Sequence, residues 1–159
     1  MNHKQVAERW REQVRDSGKG HNVFYEGKVI YSYGYHFPIA YIHESEEGEI
    51  AIFFNSDGYS VSTSKHKSIV WSVCSYDKVV EVNTETLKNI INAGGRFNNA
   101  LVNSVYFELR DRFNQYTTKE SRARKGHTQQ HWYIKAREVE EQMATFNNLT
   151  ESEGDTYAL

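Results

Sequence analysis

Apolar and polar positions alternate along this chain in two rhythms, one near four residues and one near two, and each predicts its own kind of element. In KQVAERWREQVRDSG, Val6, Trp10 and Val14 recur every fourth position with charges between them, and Gly18 follows. That spacing predicts a short amphipathic helix with a glycine stop. From Val23 to Ser64 the rhythm shortens, with β-branched and aromatic residues punctuated by EG, EEG and SDG. Strands are expected at 22–25, 28–33, 37–43 and 49–55, with a fifth at 59–63. Gly27, Gly48 and Gly58 fall in the turns, where a glycine takes positive φ without steric cost. Beyond them, Ile69, Val70 and Val73 return to a helical face capped by Thr63 or Ser64, although IVWSVCS suits a strand as well.

The rest of the chain reads as helical. TETLKNIINAGG is a short helix ended by Gly94 and Gly95, and Phe97, Leu101, Val105, Leu109 and Phe113 then repeat every four residues over about 97–115. A last stripe of Trp132, Ala136, Val139, Met143 and Phe146 predicts a helix over about 128–147. TTKESRARKG, between these two helices, is polar and without period and reads as a flexible loop. Strands first and helices afterwards predict an α+β fold: an antiparallel meander of about five strands, preceded by a short helix and packed by three to four C-terminal helices. No internal repeat is evident, and the length suits one domain over 1–150 followed by a disordered acidic tail, ESEGDTYAL, at 151–159.

Composition narrows the function classes. Aromatic residues make up 14% of the chain, which points to a small, aromatic-rich core. A formal charge of −2 removes any global pull toward nucleic acid or acidic membranes, so a basic surface must be local. Cys74 is the one cysteine, which excludes an intramolecular disulfide and cysteine-rich zinc sites, and its neighbours Trp71 and Val73 suggest a packed thiol in a reduced, cytoplasmic setting. Residues 1–20 lack an apolar export segment, and no run of 18 apolar residues offers a membrane span.

Two stretches concentrate chemistry. In SVSTSKHKSIV, a helix capped near Ser64 would set Ser62, Thr63 and Ser64 beside Lys65, His66 and Lys67 at its positive N-terminal end, an arrangement suited to phosphate. His36, in the Tyr-rich YSYGYHFPIA with Tyr31 and Tyr33, is a candidate second wall of that site. Were His36 and His66 to converge, with Lys65 stabilising charge, two imidazoles could cleave a phosphodiester by general acid–base chemistry without metal.

YSYGYHFPIA followed by FFNSDGYSVSTSKHKSIV resembles a pattern of small, uncharacterised proteins of bacteriophages and other mobile elements. Tyr31, Ser32, Tyr33, Gly34, His36, Pro38, Ala40, Asn55, Tyr59, Ser60, Ser64 and His66 carry it, over about residues 23–70. The resemblance implies a phage-type accessory protein in a bacterial cytoplasm and brings no established activity.

The second stretch, KESRARKGHTQQHWYIKAR, holds Lys119, Arg122, Arg124, Lys125, Lys135 and Arg137 with Trp132 and Tyr133 alongside. Cations that follow a backbone and rings that stack on bases are how single-stranded nucleic acid is held. His127 and His131 have helical metal-ligand spacing, but HTQQH lacks the glutamate of the metalloprotease motif and no third ligand is evident, so no metal is expected. Walker, GxGxxG and GxSxG motifs are absent and no cofactor is implied. The sequence therefore favours a module binding nucleic acid or another phosphate-bearing ligand. A two-histidine nuclease and a host-protein interaction or inhibitor module stand as alternatives.

Overall fold

Six strands in the computed structural model, which describes residues 1–152, stand side by side in the order of the chain. They are β1 (Ser17–Lys19), β2 (Val23–Glu26), β3 (Val29–Ser32), β4 (Pro38–Glu44), β5 (Ile50–Asn55) and β6 (Lys78–Val82). Neighbours run antiparallel from β1 to β5, and β5 and β6 are parallel. The fold is α+β, with four of the five expected strands present and one added at each end of them. Most of the expected tail at 151–159 lies outside the described residues.

The parallel pair explains why no strand forms at 59–63. Two parallel neighbours need a crossover of a dozen or more residues, and here α2 (Val61–Val73) provides it. Ser60, extended at φ −147° and ψ 169°, caps α2 by accepting from the Thr63 N–H at 3.1 Å. The cap is therefore three to four residues earlier than the expected Thr63 or Ser64. As a result Ser62, Thr63 and Ser64 lie in the first turn, and Lys65, His66 and Lys67 follow it rather than forming it.

Helix α1 (His3–Glu12) begins at a capping box between Asn2 and Gln5 and ends at Gln13, whose φ of 56° is left-handed. Val14 consequently leaves the helical stripe and is 81% exposed, while Gly18 becomes part of β1. Val6, Ala7 and Trp10 are buried against one face of the sheet, where α2 adds Val70 and Cys74. Trp10 Nε1 donates to the Lys28 carbonyl at 2.9 Å, and the Arg11 guanidinium pairs with both Asp77 oxygens at 2.6 and 2.7 Å. These bonds tie α1 to the β2–β3 turn and to the end of the crossover. Helix α3 (Thr84–Asn92) buries Leu87 and Ile90 and packs on β4 and β5.

By contacts the described chain falls into two compact units, Met1–Arg96 and the residues from Phe97 on. The second consists of α4 (Asn99–Arg122) and α5 (His127–Ser152), joined by residues 123–126. The expected loop is thus mostly helix, because Lys, Glu and Arg are good helix formers and the missing period means only that no face is buried there. Burial in α4 ends at Leu109 and resumes in α5 at Ala136, so no residue between them is buried. Among the described residues no helix is long and apolar enough to cross a membrane.

Candidate nucleic-acid interface and histidine site

Strand β3 and helix α2 bring four polar side chains into one chain of hydrogen bonds, buried at Thr63, Ser32 and His66 and reaching the surface at Ser60. Ser60 Oγ donates to Thr63 Oγ1 at 3.1 Å, Thr63 Oγ1 lies 3.1 Å from Ser32 Oγ, and Ser32 Oγ lies 2.8 Å from His66 Nδ1. Each hydroxyl has one proton to give, so a consistent assignment runs from Ser60 through Thr63 and Ser32 to His66 Nδ1, with the imidazole proton on Nε2. Burial lowers the His66 pKa, and the adjacent His3 adds to the effect, which favours the neutral ring this assignment requires. His66 is 4% exposed, and its ring contacts are His3, edge-on at 4.6 Å, and Tyr33 at 5.4 Å.

His36 occupies the exposed turn between β3 and β4, with its ring 5.4 Å from Tyr59. No ring contact joins it to His66; the histidine beside His66 is His3, in the first turn of α1. The tyrosines of the same stretch separate too. Tyr31 stacks on Phe24 at 5.0 Å with Tyr35 edge-on to both, whereas Tyr33, at a left-handed φ of 66°, stands against His66. Burial raises the Tyr31 pKa, with Glu26 adding to it. The Tyr35 hydroxyl donates to Glu26, and that bond raises its pKa in turn.

The remaining predicted residues of this region divide by exposure. Ser62, Ser64 and Lys65 are exposed, and Thr63 is fully buried. Lys67 is half-buried and donates to the Asp57 carbonyl at 2.7 Å. The loop that carries Asp57 is itself fixed: buried Asn55 Nδ2 donates to the Pro38 carbonyl at 2.8 Å, and the Asp57 carboxylate accepts from the Thr84 N–H at 2.8 Å. Thr63, His66 and Lys67, half of the expected phosphate site, thus hold α2 in place, while Ser62, Ser64 and Lys65 face outward.

The helical pair differs. Tyr116 and Trp132 stack at 5.7 Å, Lys119 Nζ lies 4.5 Å above the Trp132 ring, and His131 meets that ring edge-on at 4.8 Å. One turn further along, the Arg137 guanidinium lies 4.9 Å over Tyr133 and 5.7 Å from the Phe113 centroid. Arg122 closes α4, and Arg124 and Lys125 follow in the connecting turn, all three exposed. Lys135 and Arg137 pair with Glu138 and Glu140, at 3.5 and 3.0 Å. Among the described residues no carboxylate pairs with Arg122, Arg124 or Lys125. These three therefore form the exposed basic tip, beside an aromatic stack that is only half-buried. His127 opens α5, and no cluster of three or more His, Cys, Asp or Glu suited to a metal occurs among the described residues.

Sequence reasoning did not single out His3, Tyr116 or the role of Ser32. His3 shares the helical face of Val6 and Trp10 but not their fourfold repeat, and the Ser32–His66 bond spans 34 positions. Tyr116 and Trp132 are equally distant from Arg124, so a tight reversal there would have predicted their contact. Compared with protein-family models, curated proteins and solved structures, the chain has no match.

Proposed function

We propose that the protein binds single-stranded nucleic acid through the tip of the α4–α5 pair, as a phage-type accessory protein would. The observation that carries this reading is Lys119 over the Tyr116–Trp132 stack, next to Arg122, Arg124 and Lys125. The cations attract phosphates and release counterions, and the half-buried rings offer surface on which any base can stack. Such a surface accepts many sequences. A two-histidine cleavage mechanism gains less support, because His66 is buried in a hydroxyl chain and His36 contacts Tyr59 instead.

Salt dependence tests the proposal. Affinity for a single-stranded oligonucleotide should fall steeply with salt, and replacing Arg122, Arg124 and Lys125 together by Gln should flatten the log–log slope by about 2, at about 0.7 per phosphate contact. These exposed substitutions should change stability by less than about 0.5 kcal/mol. A titration that is flat, or that the triple substitution leaves unchanged, would remove nucleic acid as the ligand of this surface.

A further inference from the structure

Positions 64, 67, 68 and 71 lie on one stripe of α2, and Ser64, Lys67, Ser68 and Trp71, with Phe54 of β5, line an open surface cavity of about 350 Å³. We propose that this cavity is a subsite for a single unstacked nucleobase. The inference takes its class of ligand from the nucleic-acid reading above, but its support comes from a different part of the molecule.

Size is the first consideration. The volume is at the lower end of the range for ligand cavities, about 300–1,000 Å³, and suits one ring system better than a folded chain. Its walls are the second. Trp71 is 45% exposed and meets Phe54 edge-to-face at 4.9 Å, so much of the indole surface is open to another planar ring. The third is the pattern of polar groups. Lys67 Nζ spends one N–H on the Asp57 carbonyl and has two left to donate. Ser68 Oγ donates to the Ser64 carbonyl at 3.1 Å and keeps lone pairs to accept, while the Ser64 hydroxyl can do either. Donors and acceptors side by side match the edge of a base.

Charge separates a base from a bare anion. Burial lowers the Lys67 pKa and so disfavours its charge, with Glu81 and Asp57 pulling the other way. Lys67 therefore serves this cavity as a hydrogen-bond donor rather than as a counter-charge, and the phosphate contributes little. That distinguishes it from the tip of the helical pair, where among the described residues no carboxylate pairs with Arg122, Arg124 or Lys125.

The experiment is equilibrium binding to the intact chain of adenosine, guanosine, cytidine, uridine, the matching 5′-monophosphates and inorganic phosphate, followed by amide chemical shifts. At least one nucleoside should saturate, with its monophosphate within about threefold and little change with salt, since no counterion release is involved. Inorganic phosphate should not bind. Trp71→Ala should weaken nucleoside binding about tenfold or more, as loss of a stacking partner does. Lys67→Met, which keeps the stem over Phe54 and removes the donors, should also weaken it and serves where Trp71→Ala fails to fold. The triple Gln variant at the tip should bind nucleosides like the wild type, so that failure of one site is read separately from failure of the other. Absence of saturation by all four nucleosides, binding of phosphate alone, or unchanged affinity in both cavity variants would overturn the proposal.

Discussion

The hydroxyl and histidine cluster around α2 and the basic tip of the α4–α5 pair draw on the same kinds of residue, yet they treat their polar groups in opposite ways. Around α2, Ser60, Thr63, Ser32 and His66 bond to one another. Ser32, Thr63 and His66, taken out of water, must be satisfied internally, and their bonds to one another hold structure. At the tip, Arg122, Arg124 and Lys125 are exposed, and the aromatic rings beside them are half-buried. Residue type alone makes the two stretches look alike; they differ in that partners are already taken around Ser32 and His66, whereas among the described residues no carboxylate pairs with Arg122, Arg124 or Lys125.

Acid should produce the largest effect, through a buried histidine of the sheet that carries the α2 cluster and with His66 adding to it. His43 lies inside the sheet with its ring 5.9 Å from Phe53, and burial, aided by Lys28, pushes its pKa from 6.5 down to about 4. The unfolded chain therefore takes up a proton between about pH 6.5 and 4 that the folded chain resists, so stability is retained above this window and falls as pH drops through it. The loss should approach about 3 kcal/mol, at 1.36 kcal/mol per unit of pKa difference. His66, shifted in the same direction, adds to it. Urea titrations at neutral and acid pH measure the loss, and His43→Phe should make it shallower. A profile that His43→Phe leaves unchanged would show that this histidine is not what the acid attacks.

A single hydroxyl comes next. Ser32→Ala leaves Thr63 Oγ1 and His66 Nδ1 without the oxygen that joins them, both in buried surroundings, at a cost of about 2 kcal/mol. Oligonucleotide affinity should remain that of the wild type. Should affinity fall while stability holds, the roles of the two regions would be exchanged.

Periodicity made the helices legible wherever a face is buried: the Phe97 to Leu109 repeat and the later Ala136, Val139 and Phe146 stripe are core. It failed where a distant bond decides. Helix α1 stops before Val14 because Gln13 turns left-handed and its Nε2 donates to the Trp10 and Gly27 carbonyls, at 2.7 and 2.9 Å. SVST reads as strand by composition, yet Ser60 caps a helix there once Asn55 and Asp57 have fixed the preceding loop. Strand β6, KVVEV, lies between two helices without a hairpin turn to mark it and is defined by its parallel partner. As for the sites, Ser32, Asn55, Ser60 and His66 were visible as members of one pattern, but their bonds reach across 3 to 34 positions and cannot be read from spacing.

The smallest expected effect is also the one that best separates packing from recognition at the tip. Trp132 begins the apolar stripe of α5, and on that ground alone it would be a core residue, with Lys119 merely resting on it. Lys119→Met keeps the alkyl chain over the ring and removes the charge. The pair lies in an exposed setting, where a cation over an aromatic face contributes about 0.5–1 kcal/mol. If the pair is part of a nucleic-acid surface, affinity for a single-stranded oligonucleotide should fall about two- to fivefold, the salt slope should lose about 0.7, and the urea midpoint should barely move. Were the pair only packing, the order would reverse, with a lower midpoint and an unchanged titration. Measuring both quantities on the same variant decides whether the contact belongs with the satisfied groups around Ser32 or with the open cations at Arg122 and Arg124.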